Sequence, residues 1–142
     1  MYFCAIKLLI MKRNTIIKSA TALILGVFLM SAMPGDSPIT RNGSQYIVNT
    51  TTITKGVKGY LGNTPLKIYI TNNKIDKIEA LPNKETPKYF LKVKNQMLGK
   101  WNGMTVSKAL TANVDGVTGA TYSSNAVKKN VKMGLEYYKA HK

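Results

Sequence analysis

Residues 66–81 constrain the architecture more than any other stretch. Leu66, Ile68 and Ile70 alternate with Lys67, Tyr69 and Thr71, the period-two pattern of a strand with one buried face. Asn72-Asn73 follows, and asparagine tolerates the positive φ angles of a tight hairpin turn. Lys74 to Leu81 then returns as the partner strand. Ile75 and Ile78 stand three apart, so the alternation slips once near the turn exit.

The flanking sequence supplies another strand and a cover. Tyr46 to Ile53 is rich in Tyr, Ile, Val and Thr, which suits a strand. Lys58-Gly59-Tyr60-Leu61-Gly62 lets the chain turn or approach a neighbour closely. Lys88 to Leu98 reads as a helix with Phe90, Val93 and Met97 on one stripe and Leu91 and Leu98 beside it. Trp101-Asn102-Gly103 breaks that helix, and Val106, Ala109 and Leu110 predict a short one. Ser124 to about Tyr138 is the clearest helix. Val127, Val131, Leu135 and Tyr138 share a face, with Lys128, Lys129, Lys132 and Lys139 mostly outward. The expected fold is α+β: a small antiparallel, hairpin-based sheet packed with helices, over residues 46–142.

Composition narrows the chemistry. The chain has 142 residues with one His, one Cys and only six acidic side chains. That excludes a disulfide framework and most transition-metal sites, and no Cys-x-x-Cys-His run exists for covalent haem. A Ser-His-Asp triad would have to use His141, the second-last residue, where chains fray. No catalytic side chain and no metal ligand set is expected, so any hard chemistry comes from an organic cofactor.

The N-terminal segment 1–33 reads as an export signal, or as a retained anchor. Lys12, Arg13 and Lys18 precede an uncharged run from Ser19 to Met33, which ends at Pro34-Gly35-Asp36 after the small residues Ser31 and Ala32. The run is shorter than the ~20 residues that span a bilayer. Met1 and Met11 both serve as candidate start sites. Residues 34–45 form a polar leader that reads as a tether. Beyond residue 33 no cysteine remains, and seventeen basic against six acidic residues leave a charge of +11. In an extracytoplasmic setting, periplasm or cell envelope, this argues against nucleic acid as partner. Anionic envelope polymers, lipid head groups or acidic redox partners are the expected counterparts. A solvated lysine-rich surface satisfies the same pattern.

Asp115 to Ser124 (Asp-Gly-Val-Thr-Gly-Ala-Thr-Tyr-Ser-Ser) opens into the last helix. The first turn of a helix has unpaired N–H groups and the positive end of the dipole, so it favours an anion. Ser123 or Ser124 is a candidate cap, and Gly119 and Ala120 let a bulky group approach the backbone. These features describe a phosphate site, and equally a capped turn with no ligand.

The run Asp115 to Thr121 resembles the flavinylation signature of the FMN-binding domain family, Asp-x-x-(Ser/Thr)-Gly-Ala-Thr. That domain occurs in subunits of sodium-pumping NADH:quinone reductases, in Rnf complexes and in small exported flavoproteins. Lys58-Gly59-Tyr60, the 66–81 hairpin, Lys84-Glu85-Thr86-Pro87 and Trp101-Asn102-Gly103 are similar to further family segments, so the resemblance covers roughly residues 55–140. Lys88 stands where the family often has Gly after Glu-Thr-Pro.

The resemblance implies FMN esterified through its phosphate to Thr121 by a flavin transferase that uses FAD. It implies that Gly119 and Ala120 backbone, with hydroxyls from Thr118, Ser123 and Ser124, holds the phosphate. Asp115 orients the turn or is read by the transferase. Glu85 and Thr86 lie near the flavin ring. Tyr60, Tyr122 and Trp101 are candidate ring walls, and for each of the three the competing and preferred reading is simple core packing. Phe90 and Met97 are expected in the core. The implied function is an exported electron carrier between a membrane electron-transport donor and an unknown extracytoplasmic acceptor, rather than a substrate-specific enzyme. The alternatives are a module that binds FMN reversibly or senses it, and a cofactor-free basic envelope-binding protein.

Overall fold

The computed structural model describes residues 37–142. The expected signal or anchor at 1–33 and the start of the polar leader lie outside the described residues. The elements in chain order are β1 (Ile39–Asn42), β2 (Gln45–Asn49), β3 (Leu66–Thr71), β4 (Lys74–Ala80), α1 (Pro87–Gln96), a 3-10 turn (Leu98–Trp101), α2 (Val106–Thr111) and α3 (Thr121–His141). The strands form one antiparallel sheet in the order β1-β2-β3-β4. This is the α+β fold that the sequence predicts.

The β3–β4 hairpin forms as the alternation requires. Leu66, Ile68 and Ile70 are fully buried, and Asn72 and Asn73 carry φ angles of 49° and 64°. Ile70 pairs with Ile75 and Tyr69 with Lys77, so Asp76 is left over and the register shifts there. That bulge is the slip between Ile75 and Ile78, and it returns both isoleucines to the buried face.

Two segments depart from expectation. The strand predicted over 46–53 stops at Asn49, because Asn49 Oδ1 accepts hydrogen bonds from the N–H and hydroxyl of Thr51 and turns the chain. The segment read as a tether contributes β1, whose mostly exposed residues pair with β2 through the backbone. Alternating apolar residues are not needed at such an edge.

The helices cover one face of the sheet. Pro87 opens α1, where a missing N–H costs nothing, and Phe90 and Val93 point inward. Met97, Leu98 and Trp101 continue the buried surface through the 3-10 turn. Leu91 is 55% exposed and does not extend the stripe. On α3, Val127, Val131, Leu135 and Tyr138 pack inward as expected. At Gly134 α3 approaches the sheet tightly: a Cβ there would lie 2.7 Å from Ile68 Cδ1 and 3.0 Å from Thr50 Cγ2.

Each buried aliphatic or aromatic side chain contributes about 1.5–3 kcal/mol of transfer free energy. The one ion pair among the described residues, Lys77–Glu79 at 2.6 Å, is half exposed on both sides. Surface pairs of that kind are worth about 0–1 kcal/mol. Apolar packing therefore holds this fold. No helix among the described residues is long and apolar enough to cross a membrane.

Candidate functional site

The α3 helix starts earlier than its apolar stripe suggests, at Thr121, with Ala120 as N-cap and no side-chain capping bond. Ser123 and Ser124 lie inside the first turn and cap nothing. Each is buried and already engaged. Ser124 Oγ accepts the Val117 N–H at 3.0 Å, which ties the preceding turn to the helix, and Ser123 Oγ donates to Glu85. The first-turn N–H groups therefore stay without a side-chain cap. Gly119 carries φ +81°, a conformation that L side chains rarely adopt, and a Cβ there would meet nothing. Its role is the backbone turn that presents Thr121 at the helix start.

Thr121 is exposed and lies between two cavities. One, about 400 Å³, is lined by Tyr60, Glu85, Thr86 and Tyr89 together with residues 119–123. The Tyr60 and Tyr122 rings are 6.2 Å apart between centroids and tilted by 44°, at 70% and 69% exposure. The other, about 390 Å³, is lined by Gly116, Val117, Thr118, Gly119, Thr121, Ser124, Asn125 and Lys128. Thr121 thus has aromatic walls on one side and hydroxyls, an amide and an ammonium on the other.

Glu85 organises the aromatic side. Lys58 and Asn63 form an isolated antiparallel bridge that closes the 59–62 loop. The N–H groups of Tyr60, Leu61 and Gly62 converge on the Glu85 carboxylate at 3.1, 2.7 and 3.0 Å. Successive N–H groups curled in this way form a concave anion site, here filled by the protein's own side chain. A Cβ on Gly59 would come within 2.8 Å of Glu85 Cδ, so the loop fits against the carboxylate only with glycine there. Burial pushes the Glu85 carboxyl up. Hydrogen bonds from Ser123, Leu61, Tyr60 and Gly62 outweigh it and leave the group below its ordinary value.

The structure brings Thr121, Gly119, Ala120, Tyr122, Ser123, Glu85, Thr86 and Tyr60 around the aromatic cavity, and Thr118 and Ser124 around the polar one. Asp115 is exposed and borders neither cavity. Trp101 is 2% exposed in the hydrophobic core, so it is no ring wall.

Sequence reasoning overlooked three lining side chains, Tyr89, Asn125 and Lys128. Tyr89 lies three positions after Thr86, the α1 N-cap, a spacing that returns to the same side of the chain. Lys128 lies seven positions after Thr121, two helical turns along the same face.

This donor set fits FMN. The aromatic side offers planar walls for a fused ring, and the uncapped helix start beside the Thr121 hydroxyl offers unpaired N–H groups suited to a phosphate. Among the described residues no group of side chains could hold a metal ion. The sequence model of the FMN-binding domain matches residues 59–136, more than half of the chain. The chain belongs to the FMN-binding domain family. The match runs from the glycine beneath Glu85 almost to the end of α3, and it takes in both cavities. No curated protein matches the chain.

Proposed function

We propose that the protein is an exported flavoprotein that carries FMN as a phosphate ester of Thr121 and passes electrons between a membrane donor and an extracytoplasmic acceptor. The observation that carries this reading is the position of Thr121. It is an exposed hydroxyl-bearing residue at the first position of α3, immediately beside the positive-φ turn and shared by both cavities. Bound FMN supplies reversible electron transfer at its ring.

The protein's own residues supply position and electrostatics. The first-turn N–H groups and the helix dipole favour the charge that a phosphodiester retains. Lys128 adds a cation on the polar side, where Thr118 also offers a hydroxyl. Ser123 and Ser124 are occupied by Glu85 and Val117, so the phosphate contacts shift to Thr118, Lys128 and backbone. Tyr60, Tyr122 and Tyr89 wall the ring. The exposed Asp115 stays accessible for recognition by a flavin transferase. The tether has a plain advantage outside the membrane, because a covalently held cofactor rebinds intramolecularly and does not diffuse away. Lys12, Arg13 and Lys18 ahead of the uncharged run that ends at Met33 support export.

Intact-mass analysis of protein co-produced with a flavin transferase tests this. The wild type should gain the mass of FMN less one water, and Thr121→Val should gain nothing. Flavin that leaves on denaturation would instead mark a reversible FMN module. A colourless wild type would favour the cofactor-free envelope-binding reading. Fractionation of cells producing the natural chain tests export.

A further inference from the structure

We propose that Glu85 is the positioning residue of the aromatic cavity: its carboxylate ties the Tyr60 backbone to the first turn of α3 and so sets the separation of the Tyr60 and Tyr122 rings. The consequence for the cofactor rests on the cavity being the FMN site, whereas the latch is a property of the protein without ligand.

The geometry carries this in three steps. First, the carboxylate is saturated. Oε1 accepts from Leu61 and Gly62, and Oε2 accepts from Tyr60 and Ser123. An ionised carboxylate offers about four acceptor sites. Glu85 has no capacity left to accept from a ring N–H, although it borders the cavity. All of its acceptor capacity serves the walls.

Second, its donors belong to the walls. One donor is the N–H of Tyr60 itself, and another is the hydroxyl of Ser123, the residue next to Tyr122. One side chain thereby fixes two backbones that are far apart in sequence. Third, the latch is separable from the fold. The base of the 50–65 connection has its own anchor in Asn130, which accepts from Thr50 and Thr54 and donates to Thr64. Losing Glu85 therefore frees the 59–62 tip and leaves its base in place.

Glu85→Gln tests the proposal. An amide keeps one acceptor oxygen but turns an NH₂ toward the Tyr60 N–H, so that donor is left facing another donor. In ligand-free, full-length protein, amide exchange at Tyr60, Leu61 and Gly62 should accelerate at least about tenfold. Amides of β3 and the middle of α3 should keep wild-type rates. Nuclear Overhauser contacts between the Tyr60 and Tyr122 rings should weaken. With added free FMN, the visible circular dichroism of the bound flavin should change. Val106→Ala, a core cavity far from the mouth, controls for general destabilisation and should leave the ring contacts and flavin signal as in wild type. Unchanged protection of the three amides in E85Q, or a V106A variant that reproduces both effects, overturns the proposal. Wild type that gives no flavin signal would count against the FMN site, while exchange and ring contacts in the ligand-free protein still decide the latch.

Discussion

Asn130 and Glu85 fasten the same stretch of backbone to α3, at opposite ends and by different chemistry. Asn130 grips the base of the 50–65 connection. It is fully buried, neutral and bonded to three threonine hydroxyls and the Ala126 carbonyl. Thr50 extends the network by accepting the Leu66 N–H at 2.8 Å, at the first residue of β3. Glu85 grips the tip. It is charged, lies at a cavity wall and is met by backbone N–H donors that favour its ionised form. A neutral amide suits a site with no outlet to water, where an unpaired charge would be costly. A carboxylate suits a concave array of N–H groups. The base belongs to the fold, and the tip belongs to the site.

The comparison breaks most visibly at Gly134, one turn beyond Asn130. In Gly134→Val the added side chain would run into Ile68 and Thr50, and overpacking of this kind should cost about 3 kcal/mol, read as a lower urea midpoint. Asn130→Ala should cost about 2 kcal/mol, because it leaves buried hydroxyls without their partner. In that variant exchange should rise across the connection from Thr50 to Leu66, not only at its tip.

A smaller effect separates the two anchors by pH. The folded Glu85 carboxyl lies below its ordinary value, so the stability it contributes is complete above the unfolded pKa of about 4.3 and is lost as pH falls through the folded value. Denaturation midpoints followed from pH 6 downward should fall less steeply for E85Q than for wild type, while Asn130→Ala keeps the wild-type slope. Glu79 is also lowered, by its hydrogen bonds from Lys77 and Tyr69, and contributes in the same direction in both proteins. The smallest change is Glu79→Gln on the open face of the sheet. It should alter stability by less than about 1 kcal/mol in the same assay.

Much of the frame was legible because period speaks loudly in side chains that pack. Leu66, Ile68 and Ile70 announce β3, and Val127, Val131 and Leu135 announce α3. β1 was illegible because Ile-Thr-Arg-Asn pairs through its backbone and needs no apolar pattern. Trp101 stayed open between core and ring wall because its type suits both, and the three-dimensional packing places it in the core, the preferred reading. Ser123 and Ser124 read as caps because hydroxyls beside a helix start usually cap. The helix begins one turn earlier, and neighbours from residues 85 and 117 claim them. Asn130 left a trace in the sequence: a polar residue on the stripe between Val127 and Gly134 is out of place unless it has buried partners.

The last helix also sets how the protein presents itself. Its far end is held down, with Lys142 Nζ donating to Asn73 Oδ1 at the β3–β4 turn. Twenty-one residues of α-helix extend about 30 Å. A molecule grafted to an electrode or a bead through Lys142 therefore holds its open end outward, about one helix length above the support. Attachment through Lys58, which borders a cavity beside Tyr122, would press that end against the surface. The two immobilisations turn one polypeptide into a forward-facing and a backward-facing device without altering a single core residue.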